Sequence, residues 1–123
     1  MKKVIIVDDE LVNRKLTESY LLELGYKNDD MLIFNDGKEF LVNLDNIDEK
    51  EIGYILLDIY MPEINGIEVI NKLKQTHLKN IPIIVITTDD KLKSEVEPLV
   101  NSFNVRPLNF IDFVKVISVY TIE

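Results

Sequence analysis

Short β-branched apolar runs alternate along the chain with segments of helical period. The runs are Val4 to Val7, Met31 to Phe34, Tyr54 to Leu57, Ile81 to Ile86 and, more weakly, Phe103 to Val105. Apolar stretches this short and this continuous suit strands covered on both faces, the usual state of a parallel sheet. Between them, Leu11 to Leu24 reads as a helix with Val12, Leu16 and Leu24 among its apolar positions, ending at Gly25. Phe40, Leu41, Leu44 and Ile47 make a second helical face, and Ile67, Ile70 and Leu73 a third. The last helix is the clearest: Asn109 is a good N-cap, and Phe110, Phe113, Val114 and Ile117 follow at i, i+3, i+4, i+7. A helix between the fourth and fifth strands is weakly marked. Five strands alternating with helices require right-handed crossovers, so the expected fold is α/β, a doubly wound parallel sheet with helices on both faces.

Composition narrows the picture. With 123 residues the chain is expected to form one domain, residues 1–123, with no internal repeat or linker. The absence of cysteine excludes disulfide scaffolds, thiol catalysis and thiolate zinc sites, and a single histidine leaves no His-rich metal site. Fourteen basic against 22 acidic residues give a formal charge of −8. So acidic a surface repels phosphate backbones, and no direct nucleic-acid binding is expected. No stretch reaches the ~20 apolar residues of a membrane span, and the run after Met1-Lys2-Lys3 is broken at once by Asp8-Asp9-Glu10. The expectation is a cytoplasmic protein without membrane contact.

In open α/β sheets ligands bind beyond the carboxyl ends of the strands, so the residues just after each run carry the candidate chemistry. These are Asp8, Asp9 and Glu10 after the first, Asp58 after the third, Thr87 and Thr88 after the fourth, and Arg106-Pro107 after the fifth. Asp9 or Glu10 taken singly reads most simply as a helix cap. Three carboxylates at neighbouring strand ends are a different matter, because they repel unless something neutralises them. A hard divalent cation does so, and carboxylates, waters and a phosphoryl oxygen make up the octahedron Mg²⁺ prefers. A carboxylate beside such an ion can act as a nucleophile toward phosphorus, with a hydroxyl (Thr87) and a cation (Arg106) holding the other phosphoryl oxygens. The set makes sense as a phosphorylation site.

With these residues in place the chain resembles the response-regulator receiver domain of two-component phosphorelays along essentially its whole length. Val7-Asp8-Asp9-Glu10 is similar to the family's acidic pair. Leu57-Asp58-Ile59-Tyr60-Met61-Pro62-Glu63-Ile64-Asn65-Gly66 is similar to its phosphoacceptor segment, with the Pro four and the Gly eight residues past the Asp. Ile86-Thr87 matches its hydroxyl position, and Arg106-Pro107 stands where the family has Lys-Pro. The resemblance implies a flavodoxin-like sheet of order 2-1-3-4-5. It implies that Asp58 takes a phosphoryl group from a phosphohistidine on a sensor histidine kinase or phosphotransfer protein. Asp8, Asp9, Asp58 and the Tyr60 backbone carbonyl would hold Mg²⁺. Thr87 would couple the phosphoryl group to movement of a protein-binding face, with Phe103 as the switch aromatic; a plain core-strand role for Phe103 stays open. Tyr60 and Asp89, two residues past Asp58 and Thr87, would tune the phosphoryl lifetime or be solvated rim residues. A cis Arg106-Pro107 bond is implied as well. His77 is expected to be an exposed residue without a role.

Two departures stand out. Arg106 replaces the family's lysine, and its planar fork differs from an ammonium in size and geometry; it either grips the phosphoryl group or points to solvent. Arg106 lies 19 positions after Thr87, about three fewer than usual, and Pro98 falls inside the expected fourth helix. That helix is expected to be short, bent or irregular; a regular three-turn helix over Lys91 to Val100 would refute this. The leading expectation is a stand-alone receiver with self-catalysed phosphoryl acceptance and loss, no turnover of other substrates, no effector domain and an unidentified downstream target. The alternative is a degenerate receiver that acts as a phosphorylation-independent interaction module. A flavodoxin-like electron carrier fits less well because Asp8-Asp9-Glu10 would repel a cofactor phosphate. A phosphatase of haloacid-dehalogenase type needs its two acids spaced by two residues, whereas here they are adjacent.

Overall fold

The computed structural model describes residues 1–121; residues 122–123 of the expected 1–123 domain lie outside that range. Five strands form one parallel sheet: β1 (Lys3–Val7), β2 (Met31–Phe34), β3 (Ile52–Leu57), β4 (Ile83–Thr87) and β5 (Ser102–Val105), in the order β2-β1-β3-β4-β5. The helices are α1 (Leu11–Glu23), α2 (Gly37–Val42), α3 (Gly66–Leu73), α4 (Lys93–Val96) and α5 (Phe110–Ile117). The expected doubly wound α/β architecture is the one found.

The continuous apolar runs reflect a core on each face of the sheet. A strand's side chains alternate between faces, so Ile5, Val7, Ile55, Leu57, Ile83 and Val85 pack into one layer with Phe40, Val69, Ile70 and Leu73 of α2 and α3. Their neighbours Val4, Ile6, Tyr54, Leu56, Ile84 and Ile86 pack into the other with Leu21 of α1 and Phe113 and Ile117 of α5. α1 and α5 are further joined by Tyr20, whose ring lies 5.6 Å from Phe110 and 5.2 Å from Phe113 and whose hydroxyl donates to the Leu108 carbonyl at 2.9 Å.

Several boundaries differ from the pattern reading. The fourth strand begins at Ile83 rather than Ile81, because Pro82 has no N–H to give a ladder. α1 does not bury Val12 or Leu16, which are exposed; its buried positions are Thr17 and Leu21. The Thr17 hydroxyl bonds the Asn13 carbonyl at 3.0 Å, so the polar side chain is satisfied inside its own helix and can face the sheet. The second helical face is split. α2 stops at Val42, and Leu44 and Ile47 are buried from a 3₁₀ turn, Leu44–Asn46, and the residue after it. Asn43 turns the chain there, its side-chain amide donating to the Glu39 carbonyl at 2.7 Å. α4 is a single turn of four residues that passes at Pro98 into a 3₁₀ turn, Glu97–Leu99. This is the short, irregular fourth helix that Pro98 predicts. No helix among the described residues is long and apolar enough to cross a membrane.

Candidate functional site

β1 and β3 are adjacent, so the residues after them emerge side by side. The Asp58 N–H donates to the Val7 carbonyl at 3.0 Å and the Asp8 N–H to the Phe34 carbonyl at 3.2 Å, which carries the ladder one residue beyond each strand end and fixes both aspartates. Asp8 and Asp58 are buried, whereas Asp9 is exposed. One carboxylate oxygen from each of the three lies within 4.8 Å of the others. An open cleft above them is lined by Asp9, Asp58, Tyr60 and Thr88, with Val12 and Asn13 of α1 along one side.

Hydrogen bonds pin the two buried acids. Ile59 N–H donates to Asp58 Oδ1 at 2.7 Å, and Glu10 N–H donates to Asp8 Oδ1 at 2.9 Å. Beyond Asp58 the chain doubles back: Gly66 N–H bonds the Ile59 carbonyl at 2.8 Å, and Asn65 caps α3 by accepting from Glu68 N–H at 3.0 Å. Only glycine fits at position 66. A Cβ there would lie 2.7 Å from the Ile59 Cα and 2.8 Å from the Asp58 carbonyl oxygen. That is the physical reason for a glycine eight residues after the acid.

Burial pushes the Asp58 carboxyl up to about 6, and the Asp8 charge beside it acts in the same direction; the Ile59 N–H, the Thr87 hydroxyl and Arg106 oppose this. Asp8 is also raised, chiefly by burial, against the pull of the Glu10 N–H and Arg106. The site therefore carries more negative charge than its own donors neutralise. An oxygen-only donor set with one solvent-facing side suits a hard divalent cation such as Mg²⁺.

Thr87 ends β4 and is fully buried, and its hydroxyl oxygen has no hydrogen-bond partner of ordinary geometry. Arg106 does not point to solvent. Its guanidinium donates to Asp8 Oδ2 at 2.9 Å and its backbone N–H to the Thr87 carbonyl at 2.7 Å, while its Nε is buried and unpartnered. The Arg106-Pro107 bond is cis. Phe103 is half-buried on β5, against the core layer of α2 and α3. Tyr60 is exposed at the cleft, and its hydroxyl pKa is raised by desolvation and by the Asp89 charge. Asp89 accepts from Lys91 N–H at 2.9 Å, and Thr88 is the residue after β4 that lines the cleft. His77 is exposed, with Nε2 2.8 Å from the Ile47 carbonyl oxygen. The pattern reading passes over Arg14, whose Nη1 donates to the Asp8 carbonyl at 3.0 Å. Its signal is a basic residue in the first turn of a helix that follows paired acids.

This fold and site define a class. The family model of the response regulator receiver domain matches residues 4–104, and the chain belongs to that family. Among individual relatives, the chemotaxis protein CheY1 of Helicobacter pylori is 34% identical over 110 residues, covering 85% of each chain. The transcriptional regulatory protein YdfI of Bacillus subtilis is 41% identical over 88 residues, which is 72% of this chain but only 38% of YdfI. Among solved structures, the response regulator TrrA of Thermotoga maritima, in complex with Mg²⁺-BeF, superposes with a TM-score of 0.83 at 26% identity, covering 98% of this chain and 99% of TrrA.

Proposed function

We propose that this receiver domain is a phosphorylation-controlled binding module in which Asp58 is the phosphoacceptor. The observation that supports this most is the convergence of the Asp8, Asp9 and Asp58 carboxylates, one oxygen of each within 4.8 Å of the others, with Asp9 and Asp58 lining an open cleft. The donor is a phosphohistidine on a sensor kinase or phosphotransfer protein. A carboxylate oxygen of Asp58 bonds to phosphorus while the donor's P–N bond breaks, the electron pair staying on the imidazole nitrogen. Asp8, Asp9, Asp58 and the Tyr60 carbonyl would hold Mg²⁺, which when bound would supply the positive charge the acids lack.

The chain's own residues do the rest. Ile59 N–H keeps the acceptor carboxylate oriented. Thr87 and Arg106 bring two buried, unfilled donors, Oγ1 and Nε, to the phosphoryl oxygens. Because β4 and β5 are paired through Thr87↔Val105 and Val85↔Phe103, a pull on Thr87 is felt by Phe103 and by the face that α4, β5 and α5 present. That face binds the downstream protein, and the short α4 narrows which partners fit. The protein acts on its own Asp58 rather than turning over a separate substrate, and it works in the cytoplasm.

The test is the amide NMR spectrum before and after beryllofluoride with Mg²⁺. Shifts at Ile59, Thr87 and Phe103, absent in Asp58→Asn, support the reading. A spectrum unmoved by saturating reagent favours a phosphorylation-independent interaction module instead.

A further inference from the structure

Within the acidic cluster, Asp9 differs from its neighbours in what holds it. It is exposed, and among the described residues no hydrogen bond ends on its carboxylate, whereas Asp8 and Asp58 each accept a backbone N–H. Its place beside the other two therefore rests on the backbone that carries it. That backbone is held on both sides by Arg14, the fourth residue of α1. Arg14 Nη1 donates to the Asp8 carbonyl at 3.0 Å, and Arg14 N–H donates to the Glu10 carbonyl at 2.9 Å. The Asp8 carbonyl belongs to the peptide unit that joins Asp8 to Asp9. Because that unit is planar, anchoring its oxygen sets the direction in which the chain enters Asp9.

The cation is otherwise poorly placed. The first turn of a helix is the positive end of its dipole, where a basic side chain is disfavoured. Among the described residues Arg14 forms an ion pair with none of the acids; its side-chain bond goes to a main-chain oxygen instead. A charged donor makes one of the stronger hydrogen bonds, and aiming it at a carbonyl leaves the Asp9 carboxylate oxygens open to a ligand. We propose that Arg14 is a positioning residue for the metal site: by holding the Asp8 carbonyl it keeps the Asp9 carboxylate turned toward Asp8 and Asp58. This deepens the receiver reading and rests on it. Charge and geometry pull in opposite directions here. As a mere positive charge near the cluster Arg14 repels a cation, so its removal would tighten the metal. As a positioning residue, its removal loosens the metal.

Calorimetric titration with Mg²⁺ at about pH 8, with the acids ionised, compares wild type with Arg14→Met, an unbranched side chain with neither charge nor donor. Losing a residue that orients a metal ligand costs about tenfold or more in affinity, and Arg14→Met is expected to bind Mg²⁺ about tenfold more weakly. In an Asp9→Asn background the same substitution is expected to change affinity less than about twofold, because no Asp9 carboxylate is left to orient. Arg14→Lys, whose ammonium can serve a single carbonyl, is expected to come within about threefold of wild type. Should Arg14→Met fail to fold, Arg14→Gln takes its place, its shorter side chain falling short of the carbonyl, with the same loss expected. Neutral variants that bind Mg²⁺ as tightly as wild type or more so, an equal loss in both backgrounds, or Arg14→Lys as weak as the neutral variant overturns the positioning role alone. Wild-type protein that binds no Mg²⁺ overturns the receiver reading with it.

Discussion

Replacing Asp58 by Asn isolates the cost of the buried charge. The amide keeps the size of the side chain and an oxygen to accept the Ile59 N–H, but it carries no charge. In the folded protein the carboxyl is raised from 3.8 to about 6, and each unit corresponds to about 1.4 kcal/mol between its two protonation states. The sign follows from proton binding. Between about pH 4 and pH 6 the folded state holds this proton more firmly than the unfolded chain, so stability is present below that window and is lost as pH rises through it. Two units or so make the ionised carboxylate a liability of about 2–3 kcal/mol at neutral pH. Urea denaturation of wild type and Asp58→Asn should therefore coincide below about pH 4 and diverge as pH rises, with the variant more stable by about 2–3 kcal/mol near pH 7.5. Millimolar Mg²⁺ should close the gap by stabilising the wild type selectively. A difference independent of pH, or a variant less stable than wild type at neutral pH, would refute the argument that charge burial dominates here.

Three further outcomes are expected. Gly66→Ala should lose at least about 2 kcal/mol in urea denaturation, since its Cβ would meet backbone atoms at 2.7 and 2.8 Å that cannot swing aside. Thr87→Ala should cost only about 1 kcal/mol, because the buried hydroxyl it deletes makes no hydrogen bond of ordinary geometry and the loss is chiefly that of a buried methyl; the same variant should lose the beryllofluoride-induced NMR shift at Phe103. Glu63→Gly should gain about 0.5–1 kcal/mol in the same assay: Glu63 sits at φ 64°, a left-handed conformation that glycine adopts freely, and this relief outweighs the lost exposed pair with Lys38 and the greater freedom of glycine in the unfolded chain.

The sheet was legible because it is covered on both faces, so that Ile5 and Ile6, or Ile55 and Leu56, are apolar for opposite sides. The same logic misleads on α1, where hydrophobicity is not burial. Val12 and Leu16 face outward while Thr17 faces the sheet with its hydroxyl satisfied one turn back. Spacing alone also makes Phe40, Leu44 and Ile47 look like one helix, although the Asn43 side chain draws the chain out of it. Asp8, Asp58 and Thr87 could be read as candidates because each directly follows a strand. What they face could not be read. The bond from Arg106 to Asp8 joins residues 98 positions apart and depends on the cross-sheet order, and Arg14 enters the site only through a main-chain carbonyl.

Intact-protein mass after incubation with acetyl phosphate, with and without Mg²⁺, bears most directly on the role of Asp58. One phosphoryl adduct that requires Mg²⁺ and is absent from Asp58→Asn is the predicted result. An unmodified wild type, or an adduct that persists in Asp58→Asn, would contradict it.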